Sequence, residues 1–568
     1  MGAPLESAVR FGRRGSRLGS LLLLSVTTGV LAGLAAKILH AGMDLGVHHL
    51  IGPVAEPGHS GILRFRWGVL LLPALGGLLS GLVVRLLCRP APAEGTSHVV
   101  DSFHHRAGEL GLKDPAIKAA LAVAVISLGG SVGLEGVITV LGAAVGARVA
   151  GAAGLPPRER RLFLLAGCAA GVGAIFQCPL GGALFATTLL YREPEIEADG
   201  LLPSLIASVT SYSTFMAFGG YGRRLLESDS PLVFRNPTEL VAYAGLGVLC
   251  AGAAGLFFGC LRYVQSFTRS TRIPAWLLPA LAGLGVGSLA LALPQIMDAR
   301  YEFINRALGG ELQAHRPSRA YWVLFFGLLV LVKCAATGLA IGTRTAGGLF
   351  GPVVFIGGAV GAFGGELMNW LLPRFFPDSL REAFIPVGMA GLLAATLRVP
   401  LAAIVMVTEM TGSYGLIVPL MLVSVVSYAL GRRWGVDAEQ LRGPEESPAH
   451  AGEAVLDILE NAKVKDLAAA EWPHTVRPST PLAEIVTRFP GGNRPLVTVL
   501  DGRRLVGIIT TTELSQAAAL GDAAPVLVAA DLMSPPGPAC LHGEDDLYAS
   551  LEKFRSLRAD ALPVLAGG

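Results

Sequence analysis

The sequence predicts an all-α polytopic membrane protein built from two inverted-topology repeats with broken and re-entrant helices, followed by a small α/β region at the C-terminus. Three observations predict it. The 568 residues are 52% hydrophobic and 15% charged, with a mean hydropathy of +0.57, which is too apolar for a soluble globular chain. A glycine pattern is written twice, as GLEGVITVLGAAVG from Gly133 to Gly146 and as GLFGPVVFIGGAVG from Gly348 to Gly361. After Leu430 the apolar runs stop and a charged, turn-rich sequence takes over.

The first apolar run is preceded by RFGRRGSR, carrying Arg10, Arg13, Arg14 and Arg17. By the positive-inside tendency, residues 1–17 are expected as a cytoplasmic segment. The run from Leu18 is too long for a cleavable signal peptide. Stretches long enough to cross hydrocarbon are Leu18–Leu50, Trp67–Leu87, Ala116–Gly130, Leu240–Leu261, Trp276–Leu293 and Tyr321–Ala340. Residues 134–150, 162–173, 179–191, 349–372 and 399–411 read as helical but interrupted by Gly and Pro, hence as partial helices buried in a bundle. The seven cysteines show no CxxC or zinc spacing and read as packing residues. A net charge of +3 carries no signal for nucleic acid.

The repeat extends beyond one motif. Gly133, Gly136, Gly142 and Gly146 recur in step as Gly348, Gly351, Gly357 and Gly361, and AAGVGAIFQCPLGGALF matches AGLLAATLRVPLAAIVM with Pro179 on Pro400. Duplicated membrane modules, at about 18–217 and 236–442, commonly enclose a binding site at their interface. Glycine ahead of a helix permits close backbone approach and leaves first-turn amides without an intrahelical acceptor. Such helix starts attract anions. The same glycines also read as close-packing residues in lipid; their duplication favours a site.

Glu135 sharpens this reading, because a carboxylate inside an apolar segment costs roughly 2.5–3.5 kcal/mol on insertion scales and must find donors. A carboxylate seated in an anion site is a tethered competitor for a mobile anion. Protonation would release it and couple anion passage to pH. The second copy has Phe350 at that place, so one half supplies a gate and the other a fixed wall. No nucleophile, metal cluster or paired carboxylate accompanies Glu135, which argues against an enzyme.

With these residues in view, the chain resembles the CLC family of chloride channels and chloride–proton antiporters over residues 18–442. GGSVGLEGVITVLG resembles the family's GREGP segment, GGLFGP its GxFxP segment, and MTGSYGLIVPLM with AEQL its last membrane helices. The resemblance implies transport of chloride, or a similar small monovalent anion, by chloride–proton exchange gated by a protonatable glutamate. A passive voltage- or pH-gated chloride channel is the alternative. It further implies a homodimer with one anion pathway per subunit, multi-pass in a bacterial inner membrane with both termini cytoplasmic. Glu135 would be the external gating glutamate and proton acceptor. The amides of Leu349 and Phe350 would face the central anion, and those near Leu134 and Gly136 the external one.

Several positions depart from the family pattern. GTSHVVD stands for the family's GSGIP segment and puts Thr96 and Ser97 where the anion-coordinating serine belongs; Ser97 reads equally as the N-cap of the following helix. Asp437, in WGVDAEQL, falls on the family's central tyrosine at the inner gate, where an ionised acid cannot help hold an anion. Thr188 and Leu189 occupy the place of the inner proton-transferring glutamate of many antiporters, which weakens the case for coupling. Glu193, Glu195 and Glu197 read as a solvated loop. Lys333, Arg344, Glu366 and Glu409 read as groups partnered inside the bundle.

Residues 443–462 are expected as a linker and 463–568 as a cytoplasmic CBS-domain pair with a truncated second copy. In RPLVTVLDGRRLVGIITTTEL a DG turn joins two strand-like runs, and DALPVLAGG partly repeats it. Thr510 and Glu513 match positions that approach phosphate and ribose in nucleotide-binding CBS modules. The tail therefore reads either as an adenine nucleotide site or as a purely structural dimerising module. Transport itself calls for no cofactor or metal.

Overall fold

The fold comes from a computed structural model that describes residues 3–52, 62–88, 95–220, 224–228, 232–312, 318–373, 378–435, 439–450, 459, 462–467, 474–488, 496–502, 504–518, 526–537, 540–557 and 561–565. The chain divides into two compact units, Met1–Ala449 and His450–Gly568. Residues 443–449 thus belong with the helical unit, and the Ser447 hydroxyl lies 2.7 Å from His104 Nδ1.

The first half of the helical unit holds α1 (Ala3–Gly46), α2 (Ile62–Leu87), α3 (Ser97–His105) and α4 (Lys113–Ser127). It continues with α5 (Glu135–Ala152), α6 (Pro157–Ile175), α7 (Pro179–Thr188) and α8 (Ala198–Ala217). The second half holds α9 (Glu239–Ser270), α10 (Leu278–Ala292), α11 (Glu302–Leu308) and α12 (Arg319–Gly342). It closes with α13 (Phe350–Leu371), α14 (Asp378–Leu397), α15 (Pro400–Thr411) and α16 (Ile417–Gly431). Among the described residues, 8 helices are long and apolar enough to cross a bilayer.

Two expectations about individual helices change. Segments 134–150 and 349–372 are continuous helices, and α5, α13 and α14 are among the eight. Their glycines sit where another helix crosses, so the absent side chain admits a neighbour without breaking the i→i−4 ladder. Conversely α4 and α10 have 15 residues each, too few to span alone. α4 stops because Gly129 turns into the left-handed region at φ +82°.

The same crossing is built twice. A Cβ at Gly142 would overlap the Gly167 carbonyl, and one at Gly146 the Phe163 carbonyl, locking α5 on α6. In the second half Gly357 meets Gly388 and Gly361 meets the Phe384 carbonyl, locking α13 on α14. Pro179 and Pro400 each open a helix at its first turn, after a residue held outside the helical region. The copies run oppositely: Glu409, near the end of α15, accepts bonds from the Leu180 and Gly181 amides at the start of α7, at 3.1 and 2.7 Å. Glu409 is therefore partnered inside the bundle. So is Glu366, 3.5 Å from the Arg381 guanidinium.

Burial separates centre from rim. The apolar windows of α13 and α14 are 89% buried, against 33% for those of α1 and α2, so the repeated crossing is the core and Leu23 and Ile38 face outward.

The second unit, taken alone, has β1 (Thr475–Val476), α17 (Leu482–Arg488), β2 (Leu496–Asp501), β3 (Arg504–Thr510), α18 (Thr511–Ala518) and α19 (Ala529–Leu532). β4 (Leu541–His542), α20 (Leu547–Leu557) and β5 (Val564–Leu565) follow. β1 pairs parallel with β2 and β2 antiparallel with β3, around a small core of Val476, Ile485, Val497, Val499, Ile509 and Ala529. β4 and β5 pair parallel across α20, repeating the order of β1, α17 and β2.

The crossing makes a differential prediction. Gly388→Ala would put a Cβ 2.7 Å from the Gly361 amide nitrogen and should destabilise the protein by about 1–3 kcal/mol. Gly252→Ala, with nothing within 4 Å, should leave stability unchanged or raise it by about 0.5–1 kcal/mol. Thermal unfolding in detergent checks the pair; equal melting temperatures would remove the packing role of the glycines.

Candidate functional site

The two glycine motifs meet. The Gly133 amide donates to the Gly348 carbonyl and the Gly348 amide to the Gly133 carbonyl, both at 2.7 Å. This antiparallel bridge sets the first turn of α5 beside the first turn of α13. No side chain caps either helix, so their leading amides stay available. Only glycine permits the approach, since a Cβ at Gly348 would lie 2.8 Å from Gly136.

Glu135 is 6% exposed, and its carboxylate lies between the start of its own helix and the tip of α13. A side chain at Gly351 would collide with it, and one at Gly133 would lie 2.5 Å from Oε2 and 3.0 Å from the Gly351 nitrogen. Oε1 accepts a bond from the Tyr301 hydroxyl at 2.6 Å. Oε2 is buried with no hydrogen-bond partner among the described residues.

Tyr301 is held for this contact. It caps α11 from the left-handed region, at φ 59°, in a turn fixed by Asp298. The carboxylate of Asp298 accepts the Arg300 amide at 2.9 Å and the Phe303 amide at 2.8 Å. Lys333, also buried, donates to the Ile296 carbonyl at 2.5 Å and sits 4.7 Å from the centre of the Phe355 ring. Phe350 packs its ring against Phe176 and Phe185, at centroid distances of 4.9 and 5.0 Å.

A cavity of about 570 Å³ touches Gly95 just before α3 and His98 in its first turn, the tip of α5 at Gly136, and the approach to α13 at Gly347 and Gly348. Arg85, Lys118 and Arg344 also line it, against the single acid Asp114. The excess of cations draws anions toward the helix tips. Thr96 and Ser97 are both 7% exposed at the start of α3, next to Gly95 and His98. Leu134 is buried just before α5, and Leu349 just before α13 is half-buried.

Other sequence expectations fall differently. Asp437 lies outside the described residues. Thr188 bonds the Leu184 carbonyl at 2.7 Å within α7. Glu197 is buried rather than solvated: its amide donates to the Thr187 carbonyl at 3.0 Å, and Oε2 accepts the Tyr191 hydroxyl at 2.8 Å. In the second unit Glu513 accepts the Thr510 amide with one oxygen and the Ser534 hydroxyl with the other, both at 2.6 Å. A carboxylate engaged this way caps α18 and ties it to Ser534.

Sequence reasoning missed Tyr301, which carries no motif and has no counterpart in the repeat. It also passed over Lys118, although a lysine within an apolar run is a signal of the kind that drew attention to Lys333.

Comparison with known proteins bears on this geometry. The model of the voltage gated chloride channel family matches residues 76–432. The putative chloride channel protein ClcB-like of Ralstonia nicotianae is 32% identical over 382 residues, covering 66% of this chain and 85% of that protein. Among solved structures, a slow cyanobacterial Cl⁻/H⁺ antiporter matches with a TM-score of 0.62 at 19% identity, covering 77% of this chain and 98% of that one. A eukaryotic CLC transporter matches with a TM-score of 0.56 at 18% identity over 96% of both chains.

Proposed function

The chain belongs to the voltage gated chloride channel family and is a multi-pass membrane protein that transports chloride; on that premise we propose that it exchanges chloride for protons, with Glu135 as the gate. The observation that carries this reading is the carboxylate of one half lying over the uncapped helix tip of the other. A helix start holds about half a positive charge and bare N–H groups, so an ionised Glu135 and a chloride ion compete for the same place. Protonation neutralises the carboxylate, weakens its hold on the tip and admits the anion. The anion would rest on the first-turn amides of Gly136 and Phe350 and the groups around Leu134 and Leu349, with Ser97 offering a hydroxyl from the start of α3. The Arg-rich start of the chain supports cytoplasmic termini, and the bacterial relative supports an inner-membrane location. A homodimer accompanies this reading.

An exchanger also needs a proton acceptor at the inner end. Thr188 and Leu189 cannot serve. Glu197, folded back onto the end of α7 and bonded to Tyr191, is the buried carboxyl we assign to that transfer. The lack of an acid at Thr188 favours the second reading, a passive channel whose reversal potential follows the chloride gradient alone.

Proteoliposome flux separates the readings. The parent should take up protons when a chloride gradient is imposed. Glu135→Gln, a mimic of the protonated acid, should keep chloride flux, lose its pH dependence and move no protons. Absence of proton uptake by the parent at every pH would leave the channel reading.

Tyr301→Phe deletes one donor to the ionised carboxylate. A hydrogen bond to a charged group contributes about 1.5–3 kcal/mol, and one pH unit corresponds to about 1.4 kcal/mol. Glu135 should then be protonated more readily, and the pH of half-maximal chloride flux should rise by about one unit. An unchanged midpoint would show that the hydroxyl does not hold the gate.

Glu197→Gln should cut proton movement at least about tenfold while chloride still passes. Proton and chloride fluxes reduced in equal proportion would assign Glu197 a structural role instead.

A further inference from the structure

Away from the helix tips, a hollow of about 300 Å³ is lined by Arg192, Glu193, Arg398, Arg432, Arg433 and Arg442. Its position is set by two apolar spans. Leu380–Leu397 and Tyr414–Gly431 end immediately before Arg398 and Arg432, so the hollow lies where hydrocarbon gives way to headgroups.

Its walls are fixed by hydrogen bonds. The Arg192 amide donates to the Leu441 carbonyl at 2.7 Å and the Glu193 amide to the Arg442 carbonyl at 3.2 Å, while the Tyr428 hydroxyl donates to the Arg192 carbonyl at 3.1 Å. Arg398, held at φ 61°, directs one guanidinium nitrogen to Gln440 Oε1 and the other to the Arg432 carbonyl, both at 3.3 Å. Arg433 lies 5.9 Å from the centre of the Trp434 ring.

Five arginines and one acidic residue, Glu193, line this space. Like charges gathered on one wall repel, and a polyvalent anion removes that repulsion. The planar guanidinium fork pairs bidentately with oxyanions such as phosphate, a geometry a spherical halide does not use. We propose that this hollow is a binding site for a phosphate-bearing anion, separate from the chloride route. The phosphate can come from an anionic lipid headgroup, for which the depth is suitable, or from a free phosphate compound.

Isothermal titration of the detergent-purified full chain distinguishes the sources. The probes are sodium pyrophosphate and water-soluble dihexanoylphosphatidylglycerol, with dihexanoylphosphatidylcholine as the zwitterionic comparison. Binding of phosphatidylglycerol alone assigns the lipid, binding of pyrophosphate alone the free compound, and binding of both the shared phosphate chemistry. In each case Kd should rise at least about tenfold in Arg432→Gln/Arg433→Gln, equivalent to about 1.4 kcal/mol. It should not change in Arg269→Gln/Arg272→Gln, whose parent arginines are exposed at the end of α9. Should the first double variant not fold, Arg442→Gln reads the same loss. No binding of either anion, equal binding of phosphatidylcholine, or equal weakening in both double variants overturns the proposal.

Discussion

Two backbone hydrogen bonds, exchanged between Gly133 and Gly348 at 2.7 Å, set the terms for everything near the site. They force the starts of α5 and α13 together, so two positive dipole ends converge where neither has a capping side chain. That convergence is unfavourable unless negative charge lies beside it. Either a tethered carboxylate or a mobile anion can supply that charge, and the structure holds the carboxylate there. The glycines at 136, 348 and 351 follow from the same constraint, since a Cβ at any of them would separate the tips or displace Glu135.

The doubled pattern is symmetric in backbone and asymmetric in filling. Glycines 142 and 146 against α6 are matched by glycines 357 and 361 against α14, so both halves present their tips on equally rigid platforms. The first side chain of each helix then crosses toward the opposite half. Glu135 reaches the α13 tip and Tyr301, whereas Phe350 fills an apolar niche between Phe176 and Phe185. One charge on a two-fold scaffold gives the site a direction.

What could be read from the sequence follows from how local its cause is. Paired glycines and the prolines at 179 and 400 announce themselves because backbone proximity and helix starts are written in single residues. The continuity of α5 and α13 was hidden by those same glycines, which look like breaks until the crossing helix is seen. Tyr301 was not legible: its hydroxyl reaches Glu135 only because Asp298 fixes a left-handed turn in a segment remote in sequence. Glu197 looked solvated among acidic neighbours, and its burial depends on a bond from its amide to Thr187. The partner of Glu409 likewise could not be seen without the antiparallel packing of α7 and α15.

For Glu135 to serve as the proposed gate, its two states have to be nearly balanced. Placing an ionised carboxylate in an apolar segment costs roughly 2.5–3.5 kcal/mol, and its hydrogen bond from Tyr301 returns about 1.5–3 kcal/mol. Had the site offered donors to both oxygens, the carboxylate would sit in a well too deep for a chloride ion to contest. Oε2 instead has no hydrogen-bond partner among the described residues, facing a tip whose amides suit either occupant. Gains and losses of similar size leave the outcome to a small change, and gaining or losing one proton is such a change. Under the proposed exchange, the incomplete satisfaction of Glu135 is the feature that would let it act as a movable gate rather than as a permanent helix cap.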